Sequence, residues 1–341
     1  LSMLDLVEEG SSWEEVVELA HQLKKEGVNI INTGIGWHEA RIPTIATKVP
    51  RAAFTWVTAK MKKEIDIPLV TTNRINNPAI AENILENEEA DLISMARPFL
   101  ADPNIVNKAR DNKLDEINIC IACNQACLDH TFKGKVSTCL VNPFACYETE
   151  LKPINTAHKR IAVVGAGPSG MAFSVEAAKK GHKITLFDKD SQIGGQFNMA
   201  KIIPGKEEFH ETIRYYKRQL EIHNVSLNLN TEFSVSDSET FDEIIIATGV
   251  IPRDLKIEGI DHSKVMTYVD YLKHNKAIGD KVAVIGAGGI GFDVSEFLTH
   301  TEGSHPSLSK DEFFKEWGVD QTISSRGGIE NVKSLIRILS L

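Results

Sequence analysis

Short apolar runs alternate with longer amphipathic stretches along the first 115 residues. Trp13, Val16 and Leu23 recur at the spacing of an amphipathic helix, and Ser12 begins that helix with a capping box completed by Glu15. The apolar runs have the length of buried strands. The pattern predicts helices before Gly27 and at about 51–63 and 78–87, and strands at 28–33, 68–72 and 91–95.

Alternating strands and helices of this size predict parallel β/α units. Three consecutive units fit the closing part of a (β/α)8 barrel, which needs about 250 residues when complete. A small open α/β sheet is the alternative. We therefore expect residues 1–115 to be the C-terminal part of a barrel, and the 341-residue chain to be an internal fragment of a longer one.

Polar residues follow each predicted strand of this segment. In barrels, the functional groups lie in the loops after the strands, and phosphate is often held after the last two. Arg74 and Arg97 stand after the last two strands, where a flavin phosphate and ring edge would need them. Surface salt bridges are the alternative for either arginine. His38 lies in a glycine-rich loop after an earlier strand, and its alternative is a structural hydrogen bond.

A glycine fingerprint opens the second half of the chain. A predicted strand at 159–164 leads into Gly165, Gly167 and Gly170, then into a helix at 171–180. A second strand at 183–187 ends in Asp188, which is placed to accept hydrogen bonds from ribose hydroxyls. Such glycines let the backbone approach a pyrophosphate at a helix N-terminus. This context predicts a dinucleotide-binding domain at residues 158–255.

Two later motifs favour FAD over NAD in this domain. Gly195 and Gln196 follow the second strand, where flavoproteins bring backbone under the flavin. An apolar strand from residue 243 ends in Ala247, Thr248 and Gly249, a common return of the chain to FAD.

A second glycine fingerprint follows a predicted strand at 282–285. Its glycines are Gly286, Gly288 and Gly291, and a helix is expected at 292–298, with a short one around 311–317. Tandem fingerprints are typical of one bound FAD and one visiting nicotinamide nucleotide. Residues 256–341 are therefore expected to begin an NAD(P)H-binding domain, although NADH and NADPH cannot be distinguished from these residues.

Four cysteines are clustered between the two halves of the chain, at residues 120, 123, 127 and 139. Four thiolates suit an iron–sulfur cluster or a structural zinc ion. Zinc ribbons more often pair two close C-x2-C units, and here the second pair is widely separated. An iron–sulfur site at residues 116–157 is favoured, with zinc and buried thiols as alternatives. We expect Cys146 to be buried nearby and not a ligand.

Composition narrows the class of partner and compartment. The net charge of −9 argues against nucleic acid as the main partner. No apolar run is long enough to span a membrane, and five cysteines with four in one loop do not form a secreted disulfide framework. A cytoplasmic protein is expected, of an oligomeric state that the sequence does not reveal.

The three kinds of site make sense as an electron relay. A nicotinamide donates two electrons as hydride, an iron–sulfur cluster passes one at a time, and a flavin can do both. A second flavin beyond the cluster, an FMN in the barrel, would therefore complete the path.

Several stretches together resemble the bacterial 2,4-dienoyl-CoA reductases, in the flavin-barrel group that also includes trimethylamine dehydrogenase. They are NTGIGWHEARIPTIA, PLVTTNRIN, ISMARPFLADP, CIACNQACLD, VVGAGPSG, IGGQFN and VIGAGGIGFD, of which GWHEAR discriminates best within the group. The resemblance runs to about Gly328. It implies reduction of a 2,4-dienoyl-CoA to an enoyl-CoA with NADPH, in unsaturated fatty acid β-oxidation.

The resemblance also implies a role for each matching residue. His38 would act in catalysis with a tyrosine proton donor that is absent from this chain. The substrate thioester would contact Glu39, Ala40, Arg41 and Ile42, and FMN would contact Arg74, Ala96 and Arg97. A [4Fe-4S] cluster would be held by Cys120, Cys123, Cys127 and Cys139, FAD by Gly165, Gly167, Gly170, Asp188, Gly195, Gln196, Thr248 and Gly249, and NADPH by Gly286, Gly288 and Gly291.

Two other classes of protein remain open at this point. Another barrel flavoenzyme, such as an enoate reductase or an amine dehydrogenase, would lack a thioester pocket that admits the CoA arm. An electron-transfer module without its own substrate site would keep the cluster and FAD but would not need His38.

Overall fold

The structure is a computed structural model that describes residues 1–37, 40–151, 157–253, 255–300 and 303–330. The chain divides into two units, each considered by itself. The first contains Leu1–Thr149 together with Glu302–Leu341, and the second contains Glu150–Thr301.

The first unit contains consecutive parallel β/α repeats. Strand β1 (Ser2–Leu4) pairs with β3 (Gly34–Ile35), and β2 (Ile31–Asn32) pairs with β4 (Leu69–Thr71), which pairs in turn with β5 (Leu92–Ile93). Ile31 lies opposite Leu69, and Val70 lies opposite Leu92, so the register continues across β2, β4 and β5. This parallel pairing of successive repeats agrees with the predicted barrel fragment.

The three helices that the apolar spacing predicts in the first unit are present with shorter ends, and three short helices after the last strand were not predicted. The first begins after Ser12, whose side chain accepts from the Glu15 amide while the Glu15 carboxylate accepts from the Ser12 amide, as the capping box requires. Gly27 follows its end with φ of +95°, a backbone angle that glycine adopts without steric cost. The helices are α1 Trp13–Lys25, α2 Thr55–Met61, α3 Pro78–Glu86, α4 Arg97–Ala101, α5 Ile105–Arg110 and α6 Leu128–Phe132, with a 3₁₀ turn at Leu114–Glu116.

Residues 303–330 pack in the first unit. We expected them to continue the nicotinamide-binding domain that follows the FAD-binding domain. Their helix, α12 Lys310–Trp317, buries Phe313 and Phe314 against Phe54, with ring centroids 6.2 and 5.6 Å away. The Leu6 amide also donates to the carbonyl of Gly327 at 2.8 Å. Burial of these aromatic rings outweighs the sequence continuity with the preceding glycine motif, so the predicted segment 256–341 is divided between the units.

The loop after α12 is organised by the carboxylate of Asp320, which is 3% exposed. It accepts hydrogen bonds from the amides of Thr322 and Ser325 and from the hydroxyls of Thr322 and Ser324. Burial acts to raise the pKa of Asp320, but these hydrogen bonds outweigh it and hold the pKa well below the ordinary carboxyl value.

Replacing Asp320 with asparagine should destabilise the first unit at neutral pH. The hydrogen bonds of the folded state favour the ionised carboxylate of Asp320. The stabilising contribution of this carboxylate is therefore present above its unfolded pKa, about 3.9. That contribution is lost as the pH falls from this value toward the lowered folded pKa. The difference in melting temperature between Asp320→Asn and the parent chain should therefore shrink on acidification. The exposed Asp261→Asn serves as control; a constant difference across pH would contradict the assignment.

The second unit contains a four-stranded parallel sheet of β6 (Arg160–Val164), β7 (Lys183–Phe187), β8 (Ser226–Asn228) and β9 (Glu243–Ile246), in the order β8–β7–β6–β9. Strand β6 pairs along its full length with β7, from Arg160 opposite Lys183 to Val164 opposite Phe187. The core between sheet and helices includes Val163, Met171 and Leu186, none more than 2% exposed. The elements are β6 Arg160–Val164, α7 Pro168–Lys179, β7 Lys183–Phe187, α8 Phe197–Ala200, α9 His210–Ile222, β8 Ser226–Asn228, β9 Glu243–Ile246, α10 Tyr268–Leu272 and α11 Gly289–Thr299.

The predicted strand at 282–285 is not formed. Residues 281–288 have no regular structure, and Val282 and Ile285 are 48% and 71% exposed. An apolar run becomes a strand only when neighbouring strands pair with its backbone, and no strand of the described residues does so here. The following helix α11 still forms, because its hydrogen bonds are local. No helix among the described residues is both long and apolar enough to cross a membrane.

Candidate functional site

A cavity of about 150 Å³ lies at the ends of β4 and β5 in the first unit. Both predicted arginines line it, together with Ala96, which precedes α4. Its volume is below the 300–1,000 Å³ typical of ligand pockets, so the described residues would form only part of a flavin site. The lining residues are Ile45, Thr72, Asn73, Arg74, Ile75, Asn76, Ser94, Met95, Ala96, Arg97, Pro98 and Cys120.

The loop after β4 takes an unusual path that brings its side chains to this cavity. Asn73 and Arg74 both have positive φ, at 71° and 55°. This conformation costs about 1–3 kcal/mol for a residue other than glycine and often marks a functional site. Arg74 is 5% exposed and donates from Nε to the carbonyl of Val49 at 2.8 Å. Its guanidinium is thereby fixed at the cavity wall.

The loop after β3 carries the predicted substrate residues, and only part of it is described. His38 and Glu39 lie outside the described residues. Ile42 is buried in the core of the first unit, Ala40 packs against that core, and Arg41 is exposed. Ile42 therefore anchors the loop to the core of the first unit. The structure does not test the substrate roles of these four residues.

Asp5, which no sequence motif indicated, anchors the start of this loop. Its Oδ1 accepts from the Trp37 indole Nε1 at 3.1 Å and from Ser2 Oγ at 3.0 Å, and its Oδ2 accepts from the Ser11 amide at 2.8 Å. Burial acts to raise the pKa of Asp5, but these hydrogen bonds keep it lowered. An acidic residue that directly follows the apolar pair Met3 and Leu4 was the sequence signal that could have revealed it.

All four clustered cysteines line one small cavity in the first unit, of about 20 Å³. Cys146 lies outside it and is exposed, so our expectation that this residue is buried is wrong. The loop between the first three thiols has positive φ at Ala122 and Asn124, at 53° and 60°, which turns the chain around the cavity. The fourth thiol is brought back by the Thr138 amide, which donates to the carbonyl of Ala126 at 2.8 Å.

Two buried or half-buried asparagines fasten the cysteine segment to the end of the barrel, and a third joins two parts of the segment itself. Asn76 Nδ2 donates to the carbonyl of Cys120, Asn118 Nδ2 to that of Val141, and Asn142 Nδ2 to that of Leu100, each at 2.8 Å. Asp102, 4% exposed, adds a carboxylate that accepts from the Asn118 amide at 2.9 Å and from Lys108 Nζ at 2.6 Å. These contacts fix the positions of the thiols before any ligand binds.

The pKa values of two of the thiols are raised by their burial. Burial raises the pKa of the Cys120 thiol, while the positive charges of Arg97 and Arg74 act in the opposite direction. Burial raises the pKa of Cys139 to about 11. These thiols therefore need a cation to ionise at neutral pH.

The thiols line one cavity, but the structure does not distinguish the possible ligands. Four thiols surround it. Within the described residues, no three His, Cys, Asp or Glu side chains are placed to hold one metal ion. The iron–sulfur cluster therefore stays a prediction from the spacing of the cysteines.

The cysteine cavity and the cavity at the strand ends share two residues, Arg97 and Cys120. Arg97 is the first residue of α4, and Cys120 begins the cysteine segment. The two candidate sites in the first unit are therefore neighbours.

The FAD residues predicted for the second unit converge at the end of β6. Gly165 has φ of +110°, and a Cβ added there would lie 2.3 Å from the carbonyl oxygen of Ala247. A Cβ on Gly170 would lie 1.8 Å from the Gly165 oxygen, so both positions require glycine. Gly167 is the N-cap of α7, and a Cβ there would meet no atom within 4 Å. That open space is where a pyrophosphate would approach.

Asp188 closes this turn through the backbone. Its Oδ2 accepts from the Ala166 amide at 2.6 Å and its Oδ1 accepts from the Asp190 amide at 2.8 Å. Each carboxylate oxygen keeps a lone pair that a ribose hydroxyl could use.

The two FAD motifs further along the chain reach the same place. The Gly194 amide donates to the carbonyl of Ala166 at 2.8 Å, and a Cβ on Gly195 would lie 3.2 Å from the Cα of Gly167. Gln196 Nε2 donates to the carbonyl of Val250, directly after Thr248 and Gly249. The structure thus brings all eight residues predicted for FAD together, and their contacts with a nucleotide stay a prediction.

The second glycine turn has the geometry of the first although its strand is absent. Gly286 has φ of +117°, Gly288 is the N-cap of α11, and a Cβ on Gly291 would lie 1.9 Å from the Gly286 oxygen. The corresponding distance in the first turn is 1.8 Å. The local turn is therefore formed by the glycines themselves and does not depend on a paired strand.

Comparison with known proteins agrees with this division of the chain. Residues 1–116 match the family model of NADH:flavin oxidoreductases and NADH oxidases, and residues 159–310 match that of pyridine nucleotide-disulphide oxidoreductases. Together these matches support an FMN- and FAD-dependent flavoprotein reductase family. They do not single out the 2,4-dienoyl-CoA reductases, so the resemblance to that group remains to be tested. The match to the second model ends within α12, although that helix packs in the first unit.

Individual relatives of this flavoprotein reductase are named for the reduction of different substrates. It is 35% identical over 286 residues to a metal reductase of Desulforamulus reducens, covering 82% of this chain and 43% of the relative. It is 30% identical over 299 residues to a cinnamate reductase of Clostridium sporogenes, covering 85% and 44%. A solved complex of 2-naphthoyl-CoA reductase with 2-naphthoyl-CoA is 33% identical, with a TM-score of 0.84, covering 87% and 46%. The chain spans less than half the length of these relatives.

Proposed function

We propose that this chain is part of a reductase in which electrons pass from NADPH through FAD, a [4Fe-4S] cluster and FMN to a 2,4-dienoyl-CoA. The flavins and the cluster would supply the change from two-electron to one-electron transfer and back. The residues of this chain would bind and orient those groups.

The observation that carries the proposal is the pair of neighbouring cavities in the first unit. Cys120 lines both the cysteine cavity and the cavity at the strand ends, so one side chain would touch both redox groups. Arg74, fixed by Val49, would hold an anionic part of the flavin. An electron relay needs such adjacency, whereas a structural zinc site does not.

The substrate assignment depends on different support. The complex of 2-naphthoyl-CoA reductase contains an aromatic CoA thioester, and its likeness to this chain favours a conjugated acyl-CoA. Within that class, GWHEAR favours 2,4-dienoyl-CoA. His38 would then take part in delivering a proton near the thioester carbonyl, where negative charge develops. A free unsaturated acid is the second candidate substrate, since a cinnamate reductase is among the relatives.

The first test is the cofactor content of the chain purified without oxygen. We expect iron and acid-labile sulfide in equal amounts, together with FAD. The FMN content should follow the fraction of the FMN site that this chain forms. Zinc without sulfide would contradict the relay. Iron and sulfide without FAD would leave the first unit as assigned and contradict the assignment of the second.

The substrate is tested in the longer protein that contains this chain, with NADPH as donor. We expect turnover of 2,4-dienoyl-CoA to exceed that of 2-naphthoyl-CoA and of free cinnamate. Faster reduction of either alternative would replace the dienoyl-CoA assignment without affecting the proposed relay.

A further inference from the structure

Arg97 occupies a special position between the two cavities of the first unit. It begins α4 directly after β5 and lines both cavities. Its Nη1 donates to Oδ1 of Asn124, which lies between Cys123 and Cys127 with φ of +60°. A side chain from the barrel therefore fixes the turn that carries two of the thiols.

Arg97 carries the only positive charge among the described residues that line the cysteine cavity. Apart from the four thiols, the other described residues that line it are neutral: Leu100, Ile121, Asn124, Ala126, Leu140 and Val141. A guanidinium stays charged throughout the physiological pH range. In surroundings that are apolar and half-buried, such a charge acts more strongly than it would in water.

We propose that Arg97 is a positioning residue for the cysteine site, which fixes the Cys123–Cys127 turn through Asn124 and sets the reduction potential of the bound cluster. This inference rests on the proposed iron–sulfur cluster. Reduction adds one negative charge to the cluster, and a nearby positive charge stabilises that state. Net charge and hydrogen bonding are known determinants of cluster potential. Arg97 therefore raises the potential and keeps the cluster able to accept electrons.

The two roles of Arg97 can be separated by substitution. Arg97→Gln removes the charge but keeps an amide donor, Arg97→Lys keeps the charge but loses the planar group, and Asn124→Ala removes the partner on the turn. Arg326→Gln is the matched control, because Arg326 pairs with Glu15 on the surface at 2.9 Å and lines neither cavity. The chain and its variants are assembled anaerobically with iron and sulfide. The midpoint potential is measured by redox titration with electron paramagnetic resonance, and cluster loss is followed in a chelator.

We expect Arg97→Gln to have a lower midpoint potential than the parent chain, Arg97→Lys to stay near the parent potential, and Arg326→Gln to be unchanged. Asn124→Ala should lose its cluster several-fold faster with little change in potential. Equal potentials in the parent, Arg97→Gln and Arg97→Lys, or a potential in Arg97→Lys as low as that of Arg97→Gln, would overturn the charge role. Loss of the cluster in Asn124→Ala at the parent rate would overturn the positioning role. Failure of the parent chain to take up iron and sulfide would instead refute the cluster itself.

Discussion

Replacing Cys139 with serine should remove nearly all iron and acid-labile sulfide from the anaerobically assembled chain. Cys139 is the predicted ligand farthest along the sequence from the others, and it is brought beside them by hydrogen bonds that include the one from the Thr138 amide to the carbonyl of Ala126. A serine hydroxyl is harder and far less acidic than a thiol, so it is a poor ligand for iron in a cluster. The visible absorption of the cluster and the chemical analysis of both elements provide the measurement.

Cys146→Ser is the matched control for this variant. Cys146 lies seven positions further along the chain but is exposed and outside the cavity, so its loss should leave iron and sulfide at the parent level. Loss of both elements in Cys146→Ser with retention in Cys139→Ser would mean that the ligand set is wrong. Full retention in both variants would leave the cavity without a role in iron binding.

Replacing Gly167 with alanine should abolish FAD binding without unfolding the second unit. Gly167 has φ of −73° and ψ of 179°, which alanine adopts readily, and its Cβ would enter open space. That space is the approach of the pyrophosphate, so a methyl group there would hold the nucleotide off the helix N-terminus. The change at this helix N-cap should cost about 1 kcal/mol or less. FAD content and the melting temperature of the FAD-free chain are the two measurements.

Gly170→Ala, three residues further along the chain, should destabilise the second unit. Its Cβ would lie 1.8 Å from the Gly165 oxygen, a backbone atom that cannot move without opening the turn. Overpacking of this kind typically costs 1–3 kcal/mol, so Gly170→Ala should lower the melting temperature as well as the FAD content. If Gly167→Ala bound FAD as the parent does, the proposed path of the pyrophosphate would be wrong.

The local elements of the fold were accessible from sequence because their causes are local. Ser12 and Glu15 satisfy each other's amides three positions apart, and the glycines around Gly165 require their own backbone angles. Lys183–Phe187 formed with the predicted bounds because both of its neighbours in the sheet are present. The strand at 282–285 failed for the complementary reason, since its apolar pattern says nothing about whether a partner strand is available.

The candidate sites were accessible to different degrees. The spacing of Cys120, Cys123 and Cys127 was enough to predict that these thiols lie together, and the position of Arg97 after a strand was enough to predict that it lies at the strand ends. The asparagines that fasten the cysteine segment were missed, because an isolated Asn76 or Asn142 has no distinctive pattern. Their function depends on a carbonyl more than forty residues away in the chain. Contacts at this sequence separation are set by the fold and cannot be read from local spacing.

The return of residues 303–330 to the first unit has a consequence for biosynthesis. A ribosome that has translated Leu1–Thr149 must still translate the 152 residues of Glu150–Thr301 before Phe313 and Phe314 emerge. At about 5–20 residues per second, that interval lasts roughly 8–30 s. Throughout it the first unit lacks two rings of its core and exposes the apolar surface they later cover. Chaperone engagement and aggregation of the nascent chain should therefore be concentrated in that interval, and slower codons within Glu150–Thr301 would prolong it.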